Sequence, residues 1–151
     1  MQQNIAAASL TGWTRCYNNT YADAATDVTQ LLARCNKPKL LMACGPAAST
    51  TYTLLAMAPR TDVLFECGST TNCTKQSNGV GWYFNNSWSW GFAPAGEPVN
   101  RNSCDYNAGA QTVPGLRLCW HTSGNKMSSG YRCGSNATYD ATLKRAVYQA
   151  D

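Results

Sequence analysis

Cysteine content constrains this chain more than any other feature of its sequence. The 151 residues include eight cysteines and one histidine, His121. Zinc sites usually combine C-x2-C pairs with nearby histidines, and the chain contains no C-x2-C pair. An even number of cysteines without that spacing predicts disulfides, which persist in oxidising compartments. We therefore expect a disulfide-stapled domain with no metal site.

The cysteine pairing is only partly suggested by the sequence, because eight cysteines allow roughly a hundred connectivities. Spacing suggests two local bridges: Cys67 with Cys73 would close a short loop, and Cys16 with Cys35 would clamp the segment between them. The remaining four would then pair among themselves; they are Cys44, Cys104, Cys119 and Cys133.

Four N-x-S/T sequons agree with an oxidising compartment. They begin at Asn18, Asn72, Asn85 and Asn136. Each sequon taken alone is typical of a polar turn. Together with a disulfide framework they predict a glycoprotein with covalent N-glycans, located outside the cell or at its surface.

Charge and hydropathy exclude several classes of partner. Charged residues make up 13% of the chain, against roughly 25% in a typical soluble domain. The basic residues are mostly scattered singly, whereas a nucleic-acid surface clusters them, so we expect no nucleic-acid partner. No run of 18 apolar residues predicts a membrane span. Residues 1–10 lack a basic region and a long apolar core, so we expect no signal peptide there.

One segment, residues 20–35, has helical periodicity. Thr20 and Asp23 resemble a capping box with Asp in place of Glu. Apolar residues then recur on one face, at Ala24, Val28, Leu31, Leu32 and Cys35. Asn36 and Pro38 would end the helix.

The rest of the chain after Lys39 has the texture of short strands separated by Gly, Pro, Ser and Asn. Candidate strands cover residues 39–44, 51–58, 62–67, 79–84, 87–92, 116–122, 130–133 and 143–149. This pattern predicts a mainly β fold, an antiparallel β-sandwich or a jelly-roll-like arrangement, with one N-terminal helix. We expect residues 12–151 to form a single disulfide-rich domain, preceded by an extended segment at residues 1–11.

An aromatic segment, residues 82–92, contains the Asn85 sequon. Bulky rings occupy even positions, at Trp82, Phe84, Trp88, Trp90 and Phe92. Because side chains alternate on a strand, a bent strand would bury these rings and direct Asn85 to solvent. We favour that arrangement; a hairpin turning at Asn85-Asn86 is the alternative. We expect the tryptophans to lie mostly in the core, the alternative being an exposed platform for sugar rings.

Signals for catalysis are weak. His121 is the single histidine, and no G-x-S-x-G elbow accompanies it. The eight acidic residues are widely spaced, so they predict no pair of convergent carboxylates. No phosphate loop, dinucleotide fingerprint or EF-hand occurs. We expect no enzymatic activity and no cofactor.

One polar group of residues favours either a structural or a binding role. Arginine recurs near cysteine, with Asn, Asp or His close by; the residues are Arg101, Asn102, Asp105, Arg117 and His121. They would form either an ion-pair network that braces the disulfides or a shallow sugar site. Loop tips at residues 100–109 and 123–129 would be the natural place for a glycan.

Four phrases in the chain suggest a relationship. GWTRCY, RNSCD, RLCWHT and SGYRCG resemble a cysteine-rich module that recurs in secreted surface proteins of microbial eukaryotes and some invertebrates. The resemblance extends from Gly12 over most of the chain. It implies an extracellular module and implies nothing about catalysis.

Two functions follow from these observations. The first is a structural subunit of an extracellular glycoprotein fibril or coat, self-associating when the N-terminal segment adds as a strand to a sheet edge. That segment alternates at Ile5, Ala7 and Ser9, with Leu10 beside them. Pairing within the same molecule is the alternative. The second function is a secreted glycan-binding or adhesion module.

Overall fold

The computed structural model describes residues 1–106 and 112–151, which form two antiparallel β-sheets packed face to face. The first sheet contains, in spatial order, β1 (Gln2–Ala6), β4 (Thr51–Pro59), β3 (Lys39–Pro46), β11 (Leu143–Ala150) and β2 (Thr14–Thr20). The second contains β10 (Asn136–Ala137), β9 (Lys126–Cys133), β8 (Leu118–Ser123), β7 (Ser89–Pro94), β6 (Val80–Phe84) and β5 (Lys75–Ser77). The predicted mainly β fold is confirmed, and the described strands do not close into a barrel.

The described helices are short. The α-helices within residues 1–106 and 112–151 are α1 (Val28–Arg34) and α2 (Arg60–Val63), and 3₁₀ turns occupy Ala7–Ser9, Arg101–Ser103 and Pro114–Leu116. No helix in the described ranges is long and apolar enough to cross a membrane.

The core between the sheets is built around three fully buried tryptophans, Trp82, Trp90 and Trp120. Trp90 and Trp120 pack edge to face, with ring centroids 5.5 Å apart. From the first sheet, Leu40 and Met42 of β3 reach the same cluster. Edge-to-face packing adds about 0.5–1.5 kcal/mol per pair to the burial of area. Because Trp90 and Trp120 lie on neighbouring strands of the second sheet, this energy stabilises that sheet, and burial of the rings against Leu40 and Met42 joins it to the first.

Four disulfides join these elements. The pairs are Cys16–Cys35, Cys44–Cys133, Cys67–Cys73 and Cys104–Cys119. Two of them are the bridges suggested by spacing, and the other four cysteines pair among themselves. The Cys44–Cys133 bridge connects β3 to β9 and therefore ties one sheet to the other. Such bridges are consistent with an oxidising, extracellular compartment.

The helix predicted at residues 20–35 is real but shorter, and its N-terminus was wrong. Thr20 is the last residue of β2, where it pairs with Lys144. Asp23 accepts hydrogen bonds from the backbone N–H groups of Ala25 and Thr26, so it stabilises a turn that competes with helix. Asp27 is the N-cap, since its side chain accepts from the backbone N–H of Gln30.

The aromatic segment forms a hairpin, so our preference for a single bent strand was wrong. Strands β6 and β7 pair with Phe84 opposite Trp90 and Trp82 opposite Phe92. Directly opposed residues lie on the same face of a sheet, so these four rings still collect on the core side. Asn85 lies in the turn, where its side chain accepts from the backbone N–H of Ser87.

The strand predicted at residues 62–67 is also wrong. Pro59 ends β4, and the next four residues form the single turn α2. Arg60 holds this turn because its guanidinium donates to the carbonyl oxygens of Leu32 and Cys35. In the described ranges three strands were missed, β2, β5 and β10; all lie at sheet edges and carry few apolar residues.

Candidate functional site

Arginines in the centre of the protein are structural. Arg101, Arg117 and Arg145 are fully buried. The Arg101 guanidinium donates to the carbonyl oxygens of Gly68 and Thr70. It also forms an ion pair with Glu66 and lies 5.3 Å from the Trp88 ring. It therefore fixes the loop that the Cys67–Cys73 bridge closes.

Arg117 forms the one ion pair that is buried on both sides in the described residues. Its Nη1 lies 2.8 Å from Asp105 Oδ2, and both side chains are fully buried. Arg117 also donates to the carbonyl oxygens of Pro98 and Thr112. The Asp105 carbonyl accepts from Arg132. This network flanks the Cys104–Cys119 bridge and braces it.

The predicted sugar site at Arg101, Asn102, Asp105, Arg117 and His121 is therefore not one surface. Three of its members are buried and bound to protein groups, so a ligand cannot reach them. Asn102 is exposed and His121 is half-buried. The alternative stated above, an ion-pair network bracing the disulfides, describes the three buried residues. Residues 107–109 of the first predicted loop tip lie outside the described ranges.

His121 lies in a different environment, a pocket that we call the aromatic pocket. It is lined by Ser103, Tyr106, His121, Tyr131 and Tyr139 and has a volume of about 310 Å³. His121 stacks on Tyr139 with ring centroids 6.1 Å apart and an interplanar angle of 14°. Burial lowers the pKa of His121, and the Arg145 charge lowers it further, so the imidazole is neutral at pH 7.

Sequence reasoning missed the three tyrosines of the aromatic pocket. Tyr106, Tyr131 and Tyr139 come from a loop, from β9 and from the segment after β10. Their spacing has no helical or strand period, so only the tertiary fold brings them together. The phrase SGYRCG contains Tyr131, but nothing in it indicates that its ring faces a pocket.

The N-terminal segment lies on the first sheet of its own chain. Strand β1 pairs antiparallel with β4, with Gln3 opposite Leu54 and Ala6 opposite Thr51. The chain then crosses the sheet, since β2 begins at the opposite edge. We call residues 7–13 the strap.

The strap covers an apolar face that points away from the main core. This outer cluster consists of Leu41, Ala43, Tyr52, Leu55, Ala146 and Tyr148, all buried. Ile5, Ala7, Leu10 and Trp13 pack against it while remaining partly exposed. Of the predicted assembly residues, Ile5, Ala7 and Leu10 thus contact the sheet, whereas Ser9 is exposed and its hydroxyl donates to the Ala6 carbonyl.

Three of the four sequons lie at sheet edges. Asn18 is on β2, Asn136 is on β10, and Asn72 comes three residues before β5. All three side chains are exposed. Asn85 lies in the turn between β6 and β7. In the described part of the chain, the edge formed by β1 and β4 is the only sheet edge without a nearby sequon.

The described residues hold no group of three or more His, Cys, Asp or Glu side chains that could bind a metal. His121 has aromatic neighbours, and every cysteine is in a disulfide. The buried arginines and the disulfides therefore stabilise the fold, and the surface offers unpaired sheet edges and the aromatic pocket.

No family model matches the chain, and no curated protein and no solved structure matches it. The resemblance to the cysteine-rich surface module stays a prediction.

Proposed function

We propose that this protein is a structural subunit of an extracellular glycoprotein assembly, which polymerises by exchange of its N-terminal strand between copies. One observation carries the proposal: residues 1–13 cover a buried apolar face, yet no disulfide anchors them. The first cysteine is Cys16, and it bonds to Cys35. The segment is held by edge hydrogen bonds and by partly exposed side chains. Met1 packs against the main core, whereas Ile5, Leu10 and Trp13 pack against the outer cluster, so most of the contacts that exchange must break lie outside the main core.

Exchange between copies would preserve every contact that β1 makes within its own chain. Such a swap has a low thermodynamic cost, because donated and self-paired strands bury the same surface. The balance then depends on the strap and on protein concentration. Each copy offers one donor and one acceptor edge, so a non-reciprocal exchange is heterologous and continues into a chain of subunits, whereas a reciprocal exchange closes as a dimer.

The length of the strap is compatible with exchange. Crossing from β1 to β2 spans four inter-strand spacings, or about 19 Å. The strap makes this crossing with two hydrogen-bonded turns, in which the Leu10 N–H donates to the Ala7 carbonyl and the Trp13 N–H donates to the Leu10 carbonyl. Opening these turns would let the segment between β1 and β2 extend to about 27 Å. The strap therefore holds spare length that a donated strand could use to reach a neighbouring copy.

The sequons support the choice of edge. N-glycans at Asn18, Asn72 and Asn136 would be bulky groups on or beside β2, β5 and β10, and bulk at an edge opposes pairing with another sheet. The β1–β4 edge would remain open. Glycosylation would thus protect three edges from aggregation and direct association to the fourth.

A pair of introduced cysteines tests the proposal. Ala6 and Thr51 are directly opposed across β1 and β4, at a separation that a disulfide can bridge. In the Ala6→Cys/Thr51→Cys variant the new bond joins two copies wherever the strand is exchanged. We expect a ladder of covalent oligomers on non-reducing gels of the assembled protein, collapsing to one band on reduction.

Controls separate exchange from random crosslinking. The single variants Ala6→Cys and Thr51→Cys should give at most dimers. Deleting residues 1–10 should abolish assembly, and a synthetic peptide of residues 1–13 should then bind the truncated protein. If the double variant yields only internally bonded monomers while electron microscopy still shows polymers, strand exchange is not the mechanism. If wild-type protein forms no polymers at any concentration, the structural role itself is wrong.

A further inference from the structure

The aromatic pocket has the shape of a binding surface, because its rings converge without being covered. Tyr139 and Tyr106 are 58% and 51% exposed, and they are two of the three large apolar side chains that the described surface exposes. Tyr131 lies between them, with ring centroids 5.9 Å from each. Isolated exposed apolar residues need no explanation, but a contiguous group marks a contact site.

The backbone keeps these rings in place. Gly130 has a φ of +92°, and a Cβ added there would lie 2.6 Å from the Tyr139 ring and 3.1 Å from His121. The Gly130 N–H donates to the Tyr21 carbonyl, and its own carbonyl accepts from buried Arg145. The floor of the pocket is thus fixed to the core, whereas the Tyr139 ring remains accessible.

One polar atom of the pocket lacks a partner. Ser103 Oγ is buried and forms no hydrogen bond within residues 1–106 and 112–151. A buried hydroxyl without a partner is disfavoured by about 1–3 kcal/mol. Because the Ser103 residue as a whole is only half-buried, rotation of its side chain towards the pocket would let a ligand hydroxyl supply the missing partner. This observation is independent of the rings and points to a ligand with hydroxyl groups.

The lining of the pocket carries no charge at neutral pH. Burial lowers the pKa of His121 and raises the pKa of Tyr131, so both side chains are neutral there. Neutral aromatic faces suit the apolar C–H face of a sugar ring, and hydroxyl groups at the rim suit its edge. The volume of about 310 Å³ is at the small end of the range for ligand sites.

We infer that the aromatic pocket is a saccharide-binding site that takes a neutral pyranose ring on the faces of Tyr139 and Tyr106, with Ser103 as a polar contact. The inference does not depend on polymerisation. The sugar contacts inferred here are exposed tyrosines, whereas the site predicted from sequence relied on arginines that are buried. A polysaccharide of a surrounding matrix has this chemistry.

Titration with defined oligosaccharides tests the site. Cellohexaose, chitohexaose and mannohexaose would be added to the full-length protein and followed by saturation-transfer NMR, before and after enzymatic removal of N-glycans. The N-glycans are removed because the Asn136 sequon lies three residues from Tyr139, so a glycan there would lie close to the pocket. We expect at least one sugar to bind, with saturation transferred to its ring C–H protons.

Variants at exposed positions distinguish the site from non-specific binding. Tyr139→Ala and Tyr106→Ala should each weaken binding at least about tenfold, because each removes a ring face. Tyr139→Phe keeps the ring and should stay within about threefold of wild type. Val113→Ala, at another exposed apolar residue, should have no effect.

Two results would overturn the inference. One is the absence of binding by all three sugars after N-glycan removal. The other is binding that Tyr139→Ala and Tyr106→Ala leave unchanged. Loss of assembly in Tyr139→Ala, without any sugar binding, would instead assign the rings to a contact between copies.

Discussion

The Tyr21 hydroxyl provides a stringent test of the buried polar contacts. Tyr21 is fully buried; its hydroxyl accepts from Trp120 Nε1 at 3.0 Å and donates to the Arg132 carbonyl at 2.8 Å. Tyr21→Phe keeps the ring against which Arg145 packs at 5.0 Å but leaves both partners without this hydroxyl. Each unsatisfied buried group costs about 1–3 kcal/mol. We therefore expect Tyr21→Phe to lower the free energy of unfolding by about 2–4 kcal/mol.

Guanidinium and thermal unfolding measure this change with the disulfides intact. For a chain of this size the loss corresponds to a fall in Tm of roughly 5–15 °C. Tyr139→Phe is the matched control, because its hydroxyl lies on an exposed side chain, and it should change stability by less than about 0.5 kcal/mol.

A double-mutant cycle identifies the cause of the loss. Trp120→Phe removes the indole N–H, so adding Tyr21→Phe to that variant leaves no donor stranded at this position. The two changes should therefore be less than additive, with a coupling energy of about 1 kcal/mol or more. A loss below about 1 kcal/mol in Tyr21→Phe, or strict additivity in the cycle, would refute the reasoning.

Two further predictions concern the bridges and a surface carboxylate. Replacing Cys44 and Cys133 by Ala should cost about 4.6 kcal/mol, and replacing Cys67 and Cys73 about 2.2 kcal/mol, because the bridged cysteines are 89 and 6 residues apart in sequence. Guanidinium unfolding giving the reverse order would contradict this. Hydrogen bonds from two neighbouring threonines lower the pKa of Asp140 to about 2 from its ordinary value of 3.8. Its stabilising contribution is then full above about pH 4 and is lost as the pH falls towards 2. Unfolding measured across that interval should show a pH dependence that Asp140→Asn reduces, and an unchanged dependence would count against it.

The central strands were predictable from sequence because their side chains face apolar surroundings on both sides. In β3, Leu40 and Met42 reach the main core while Leu41 and Ala43 reach the outer cluster, which gives a continuous apolar run. Edge strands have no such signal. Strand β2 has the sequence TRCYNNT, in which Tyr17 is the only buried residue.

The polar interior and the pocket depend on tertiary contacts, so local patterns could not predict them. Arg101 is buried because loop carbonyl oxygens more than 30 residues away in sequence accept its hydrogen bonds. The turn at Asn85-Asn86 lacks the glycine that usually marks a tight hairpin, so a bent strand fitted its alternation equally well. Tyr106 and Tyr139 both pack against Tyr131, although the three residues share no local sequence period.

Pairing of β1 from one copy with β4 of the next gives any fibre built by strand exchange a definite polarity. A terminal subunit at one end would present a vacant β4 edge, while the subunit at the other end would carry an unused β1. These ends are chemically unlike, so subunits would add to them at different rates. A short peptide matching residues 1–13 would therefore stop growth at one end only.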